Sequence, residues 1–244
     1  MNTAESMVSA RRLTKVYGPL TALQGFSLEV PRGDIVALVG PNGAGKTTAL
    51  LLLAGLLAPT SGKVRIAGFD IRRQALDAKR IMGFLPDQPF LYEQLTVGET
   101  LGFIGAMYRL PPATLRERAT ELLSLFGLLA EVNRRVGQLS FGMKSRLVLV
   151  ATLLHEPQVL IMDEPFFGLD PQTLRLIKRL LIERSRQGLA VVLSTHQLAV
   201  VEDLAHRVAV LDRGRTVALG TLEELQRSHG RARLEELFFQ LTDR

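Results

Sequence analysis

The apolar run Ile35-Val36-Ala37-Leu38-Val39 leads straight into Gly40-Pro41-Asn42-Gly43-Ala44-Gly45-Lys46-Thr47-Thr48. The segment fits G-x-x-x-x-G-K-[ST], a pattern that works only where a strand ends in a loop and the loop opens into a helix. The glycines let backbone N–H groups turn toward one point, and the positive end of the following helix aims there too. Such a loop cradles phosphates, with Lys46 reaching the β- and γ-phosphates and the Thr47 hydroxyl holding Mg²⁺. The plain alternative is a glycine-rich turn without a ligand.

The surroundings read as a mostly parallel sheet. Val8 to Val30 alternates apolar and polar residues, as short antiparallel strands do. Ile35 to Val39 is a buried parallel strand, and Thr47 to Leu57 is the helix after the loop. Gly62 to Gly68 and Ile81 to Leu85 read as further strands. From about Pro89 to Leu154 the texture changes to helical periodicity, for example over Leu115–Phe126 and Leu147–Leu154. Strand signals resume at Val159–Met162, Ala190–Leu193, Arg207–Leu211 and Thr216–Leu219, with a helix over Pro171–Arg186 among them. Strands alternating with helices imply helices on both faces of the sheet. From Leu222 the pattern is helical and amphipathic.

Two other segments carry chemistry. Val159-Leu160-Ile161-Met162 is followed at once by Asp163-Glu164-Pro165, which puts two carboxylates at the carboxyl end of a buried strand, the edge where open α/β sheets bind ligands. Asp163 suits Mg²⁺, directly or through water, and Glu164 can polarise a water for in-line attack on a γ-phosphate. In Leu139-Ser140-Phe141-Gly142-Met143-Lys144, Ser140 reads as a helix N-cap followed by residues that expose backbone N–H groups, and an ordinary cap reads the same way.

Composition removes several classes. The chain has 244 residues and no cysteine, so disulfides and cysteine–metal sites are excluded. The longest apolar run, Ala49 to Ala58, is short of the about 20 residues that span a bilayer. The first residues lack the basic and apolar stretches of a signal peptide, and none is expected. The net charge of +6 is scattered, with isolated pairs such as Arg11-Arg12, Arg72-Arg73 and Arg134-Arg135; it reads as a solvated surface, with mild attraction to a membrane surface as the alternative.

With the Leu-Ser-x-Gly segment on the page, the chain resembles the nucleotide-binding ATPase subunits of ABC transporters over about residues 8–220. That resemblance implies an α/β fold, a P-loop NTPase (RecA-like) core of 1–88 and 155–220 with a mostly parallel sheet and an antiparallel N-terminal β subdomain. It implies an inserted helical subdomain at 89–154 and a helical tail at 221–244. It assigns Tyr17 to stacking on adenine and Gly40, Asn42, Gly43, Ala44, Gly45, Lys46, Thr47 and Thr48 to the phosphates. Gln88 becomes the glutamine that touches Mg²⁺ and the attacking water and senses the membrane partner. Asp163 becomes a metal residue, Glu164 the catalytic carboxylate, and His196 the switch histidine on the γ-phosphate. Ser140 and Gly142 contact the nucleotide of the opposite subunit, and Asp170 crosses the dimer interface. His155, His206 and His229 match no motif and are expected to be structural.

The implied cofactors are ATP and Mg²⁺, and the implied partners are a second ATP-binding subunit, identical or paralogous, and a separate transmembrane permease at the cytoplasmic face of the cell membrane. No nucleic-acid partner is expected. Importers of the family usually carry Leu-Ser-Gly-Gly-Gln; here Phe141 and Met143 replace the glycine and the glutamine, and Gly-Met-Lys resembles ABC-2-type exporter ATPases. The competing expectation is a soluble ATPase of the same type acting on nucleic acid or the ribosome. A P-loop kinase or GTPase would leave Ser140 unexplained.

Overall fold

The computed structural model describes residues 6–88, 90–228 and 233–242. Strands β1 (Ser6–Tyr17) and β2 (Leu20–Pro31) come first, then β3 (Ile35–Val39), α1 (Lys46–Leu53), β4 (Ser61–Ile66), β5 (Phe69–Asp70), α2 (Ala75–Arg80) and β6 (Met82–Leu85). Helices α3 (Val97–Met107), α4 (Pro112–Leu125) and α5 (Phe141–Leu153) follow, with two short 3₁₀ turns between α4 and α5. The chain continues through β7 (Val159–Asp163), α6 (Pro171–Arg186), β8 (Ala190–Ser194), α7 (Leu198–Leu204), β9 (Arg207–Asp212), β10 (Arg215–Thr221), α8 (Leu222–Ser228) and α9 (Leu234–Thr242).

Two sheets form. One runs β2-β1-β4-β5 and is antiparallel. The other runs β10-β9-β3-β8-β7-β6; all its pairs are parallel except the β9–β10 edge hairpin. Period-2 alternation along the central strands divides the hydrophobic core. Ile35, Ala37 and Val39 face one cluster with the helical insert, α6, α7 and α9. Val36 and Leu38 face the other, which holds α1 and the inner face of the antiparallel sheet. This α/β sandwich, with a helical insert between β6 and β7, has the architecture expected from the sequence.

Where boundaries differ, backbone chemistry gives the reason. The N-terminal strands are long, because β1 and β2 pair along 12 residues each, with register shifts that let them bend. Helix α1 stops at Leu53 instead of continuing to Leu57. Gly55, at φ +64, donates to Leu52 O (3.2 Å) and Leu56 donates to Leu51 O (3.0 Å), which closes the helix in a Schellman motif. The strand expected over Gly62–Gly68 breaks at Ala67 (φ +46) and Gly68 (φ +83), the two left-handed residues of a tight hairpin that pairs Ile66 with Phe69. The start of α3 carries a capping box: Thr96 N donates to Glu99 Oε2 (2.8 Å) and Glu99 N to Thr96 Oγ1 (3.1 Å).

Two of the histidines outside the motifs have structural partners. His206 Nδ1 accepts from Ile35 N at 3.2 Å. The His155 ring stacks on Tyr108 at the end of α3, with centroids 3.7 Å apart, and its Nε2 lies 3.2 Å from Met82 O. It therefore joins the helical insert to the first residue of β6. His229 lies outside the described residues.

Burial pushes the His155 pKa down from 6.5 to about 4; the Met82 carbonyl opposes this and Arg118 on α4 adds to it. The imidazole is thus neutral in the fold and protonates more readily in the unfolded chain. Its contribution is fully present above pH 6.5 and is lost as pH falls toward 4, by up to about 3 kcal/mol. The other charged or titratable groups nearby are Tyr108, whose pKa burial raises, and Glu156, which pairs with Arg118. Urea unfolding at pH 7, 5.5 and 4.5 is expected to show a steeper loss for the wild type than for His155→Phe. Equal slopes would remove His155 as the source.

Candidate functional site

Parallel pairing brings the carboxyl ends of β3, β8, β7 and β6 to one edge. There a cleft of about 690 Å³ opens between the phosphate loop and the residues that follow β7. Its lining includes Tyr17, Asn42, Gly43, Ala44, Gly45, Lys46, Thr47, Thr48, Asp163 and Glu164. This meeting is the one expected from polar residues that follow two buried parallel strands, and the strand order β3-β8-β7 produces it.

The loop is set by close approach of backbone to backbone. A Cβ at Gly40 would collide with Leu211 O, and one at Gly45 (φ +99) would stand 2.6 Å from Ala22 O. Gly214 N donates to Ala44 O (3.1 Å) and Gln24 N donates to Gly214 O (2.7 Å), so the β9–β10 turn holds the loop from beneath. At Gly43 (φ +78) a Cβ would meet nothing within 4 Å, and the loop faces the open cleft there. Gly45 is the N-cap of α1 without a side-chain cap, so the first amides of that helix stay available to an anion.

Lys46 lies over the loop, its Nζ donating to Gly40 O (2.6 Å) and Pro41 O (3.1 Å). Burial lowers its pKa, while Glu164 and then Asp163 oppose that by attraction. On β7, Asp163 is buried and accepts a short hydrogen bond from the Ser194 hydroxyl. Glu164 follows with φ +47, an uncommon conformation for a residue with a Cβ. Its N–H donates to Ser194 Oγ (3.1 Å) and Ser194 O (3.2 Å), which anchors the carboxylate-bearing turn to β8. His196 Nδ1 stands 3.0 Å from Glu164 Oε2. Cationic amine, two carboxylates, threonine hydroxyls and helix amides form a donor set that suits a nucleotide triphosphate with Mg²⁺.

The other expected residues have varied positions. Tyr17 is 45% exposed on the cleft rim, with Lys15 Nζ 4.8 Å from its ring centroid, so a cation already attends one face. Gln88 is exposed and outside the lining, and Asp87 lines the cleft instead. Ser140 caps α5 by accepting from Met143 N at 3.3 Å, and neither it nor Gly142 lines the cleft. Asp170 caps α6, accepting from Thr173 Oγ1 (2.6 Å), Thr173 N (2.9 Å) and Gln172 N (3.0 Å). These bonds, the threonine hydroxyl foremost, hold its pKa below the usual carboxylate value. The sequence reading missed Ser194, Asp87 and Arg213. Arg213 sits in the Asp-Arg-Gly-Arg hairpin, a local signal, whereas the role of Ser194 comes from the pairing of β7 with β8.

Ser194 is expected to matter more than its size suggests, because one hydroxyl serves both Asp163 and Glu164 N. Ser194→Ala leaves a buried carboxylate short of a donor and costs about 1–3 kcal/mol. Chemical denaturation measures this, and a change below about 0.5 kcal/mol would remove Ser194 from the network.

The family model described as ABC transporter matches residues 23–167. The chain is 36% identical to the linearmycin resistance ATP-binding protein of Bacillus subtilis (strain 168), over 90% of this chain and 70% of that one. It is 39% identical to a Nod factor export ATP-binding protein of Paraburkholderia xenovorans (strain LB400), over 88% and 71%. It is 37% identical to a daunorubicin resistance ATP-binding protein of Streptomyces coeruleorubidus, over 95% and 73%. Among solved structures, an ATP-binding subunit of an ABC transporter superposes with a TM-score of 0.93 at 34% identity, covering 97% of this chain and 99% of that one. A dimeric ATP-binding cassette in a post-hydrolysis state, bound to ADP and phosphate, superposes with a TM-score of 0.79 at 29% identity, covering 88% and 99%. Family, fold and site agree: the chain belongs to the ABC transporter ATP-binding proteins, and it is an ATPase.

Proposed function

We propose that this chain is the motor of an exporter, pairing head to tail with a second ATP-binding subunit and driving a separate membrane permease. The observation that carries the reading is the position of Glu164, at the end of a parallel strand, turned toward the phosphate loop and bonded to His196. Among the described residues no helix is long and apolar enough to cross a membrane. The relatives are named as ATP-binding proteins, which supports a transport path on another polypeptide and a place for this chain at the cytoplasmic face. The export direction is supported by the Phe141-Gly142-Met143-Lys144 sequence and by relatives named for export or resistance.

The residues divide the work as follows. Tyr17 stacks on adenine, and the amides of Gly40 to Thr48 hold the phosphates. Lys46 faces the β- and γ-phosphates and neutralises charge that develops there. Thr47 and Asp163, which line the cleft, would hold Mg²⁺, joined by Gln88 if it turned inward from its exposed position, and the ion would supply Lewis-acid stabilisation of the phosphate oxygens. Glu164 orients the attacking water and accepts its proton, and His196 keeps that carboxylate in place while reaching the γ-phosphate. Ser140 and Gly142 lie outside their own cleft at the amino end of α5, where their amides suit the nucleotide of the partner subunit; Asp170 lies at the same interface. Residues 1–88 and 155–220 form the core, 89–154 the moving helical part and 221–244 the tail. Closure on ATP and reopening after hydrolysis are passed through the segment after Gln88 to the permease.

Glu164→Gln is expected to bind ATP normally and to lose turnover by at least about 10²-fold, the range that general-base removal produces. Wild-type turnover in this variant would remove the role given to Glu164. Purified with ATP from detergent-solubilised host membranes, the same variant is expected to bring down a polytopic membrane protein in stoichiometric amount. Recovery with ribosomes or DNA and nothing from the membrane would overturn the transport reading.

A further inference from the structure

Phe141 is the first residue of α5 and is 63% exposed. Its ring lies against Gly168. A Cβ at Gly168 would collide with the ring edge at Cε1 and would find Cζ at 3.3 Å and Cδ1 at 3.4 Å. Gly168 also holds φ +70, so glycine is required there by both conformation and space.

Gly168 belongs to the loop from Glu164 to Asp170 between β7 and α6. Its start is tied to β8, where Glu164 N donates to Ser194. A turn follows, with Phe167 N donating to Glu164 O at 3.2 Å. Its end is fixed by Asp170, which caps α6. Between these anchors the edge of the Phe141 ring lies against Gly168. Glu164 keeps a left-handed backbone, and such conformations persist where the surroundings over-determine them. The ring is thus one contact between the helical insert and the loop that follows the carboxylate, beside Phe166 and Leu169, which pack into the same core cluster as the insert.

We infer that Phe141 is a positioning residue for hydrolysis, its ring propping the 164–170 loop so that the Glu164 carboxylate stays aimed at the cleft. Ser140 and Gly142 flank Phe141 at the same helix end. A change in where α5 stands therefore lifts or seats the ring on Gly168. In this way the seating of one subunit's Ser140 on its partner's nucleotide is reported to that subunit's own Glu164. The inference rests on the role proposed above for Glu164 and on head-to-tail pairing.

Steady-state ATPase kinetics, ATP affinity and thermal midpoint test this on the full chain, with Glu164→Gln as reference. Phe141→Ala is expected to lower kcat about tenfold, within the loss that misplacement of a reacting group produces, with KM for ATP and thermal midpoint unchanged. Phe141→Leu restores most of the rate. Gly168→Ala lowers kcat further, and adding Phe141→Ala to it costs less than the product of the single effects, because the collision with the ring is gone. If Phe141→Ala keeps kcat within twofold of wild type while Glu164→Gln is inactive, the positioning role is overturned and the reading of Glu164 stands. If kcat, KM and thermal midpoint of Phe141→Ala change together, the ring is only structural and the inference fails. Full turnover in Glu164→Gln overturns both.

Discussion

Backbone packed on backbone beneath the phosphate loop is the constraint on which the rest depends. Gly40 against Leu211 O, Gly45 against Ala22 O and Gly214 against the same carbonyl leave no room for a Cβ at any of the three. The antiparallel sheet supplies Ala22, the edge hairpin supplies Leu211 and Gly214, and the loop is fixed between them. Amides held in place before a ligand arrives bind anions without the cost of ordering a flexible segment. The same contacts explain why a remote hairpin and an N-terminal sheet are needed for a site whose chemistry lies elsewhere. Each supplies a carbonyl wall, and the main chain of the loop is pressed against it.

Charge at the site is balanced across strands. Lys46 is buried enough that its ammonium is disfavoured, and the carboxylates of Glu164 and Asp163 offset that from the end of β7. Asp163 in turn depends on the Ser194 hydroxyl of β8. Neutralising one of these groups leaves a charge in low dielectric without its partner, which costs more than the pair contributes when intact. The site is therefore best seen as one network crossing β3, β7 and β8. Individual energies assigned to its members would not add.

Much of this was readable before the fold was seen, and the reason is physical. Continuous apolar runs such as Ile35–Val39 and Val159–Met162 have few uses other than buried parallel strands, so the polar residues directly after them had to share the carboxyl edge of the sheet. The helix cap at Ser140 acts over three residues and is written locally. Element ends were less legible because they are set by single backbone conformations. Ala67 and Gly68 cut a strand short, and Gly55 ended α1 where apolar periodicity continued. Ser194 escaped because a serine at a strand end has no pattern of its own; its role appears only when β7 lies beside β8. Phe141 read as a departure from a motif, and its partner Gly168 was brought to it by tertiary packing alone.

The division of the core gives the last step. The parallel sheet separates two hydrophobic clusters, and the helical insert belongs to one of them, with α6, α7 and α9, while α1 and the antiparallel sheet belong to the other. A shift of the insert can thus be absorbed in the first cluster while the second, which supports the phosphate loop and Tyr17, stays packed. Nucleotide binding and carboxylate positioning are then held by different cores. The phosphate cradle is kept rigid by the backbone contacts under Gly40 and Gly45. The Glu164 turn is tied to the sheet through Ser194, and the Phe141 ring of the insert lies against Gly168 farther along the same loop. That asymmetry suits the proposed motor, which would keep hold of its nucleotide while hydrolysis responds to the position of a second subunit.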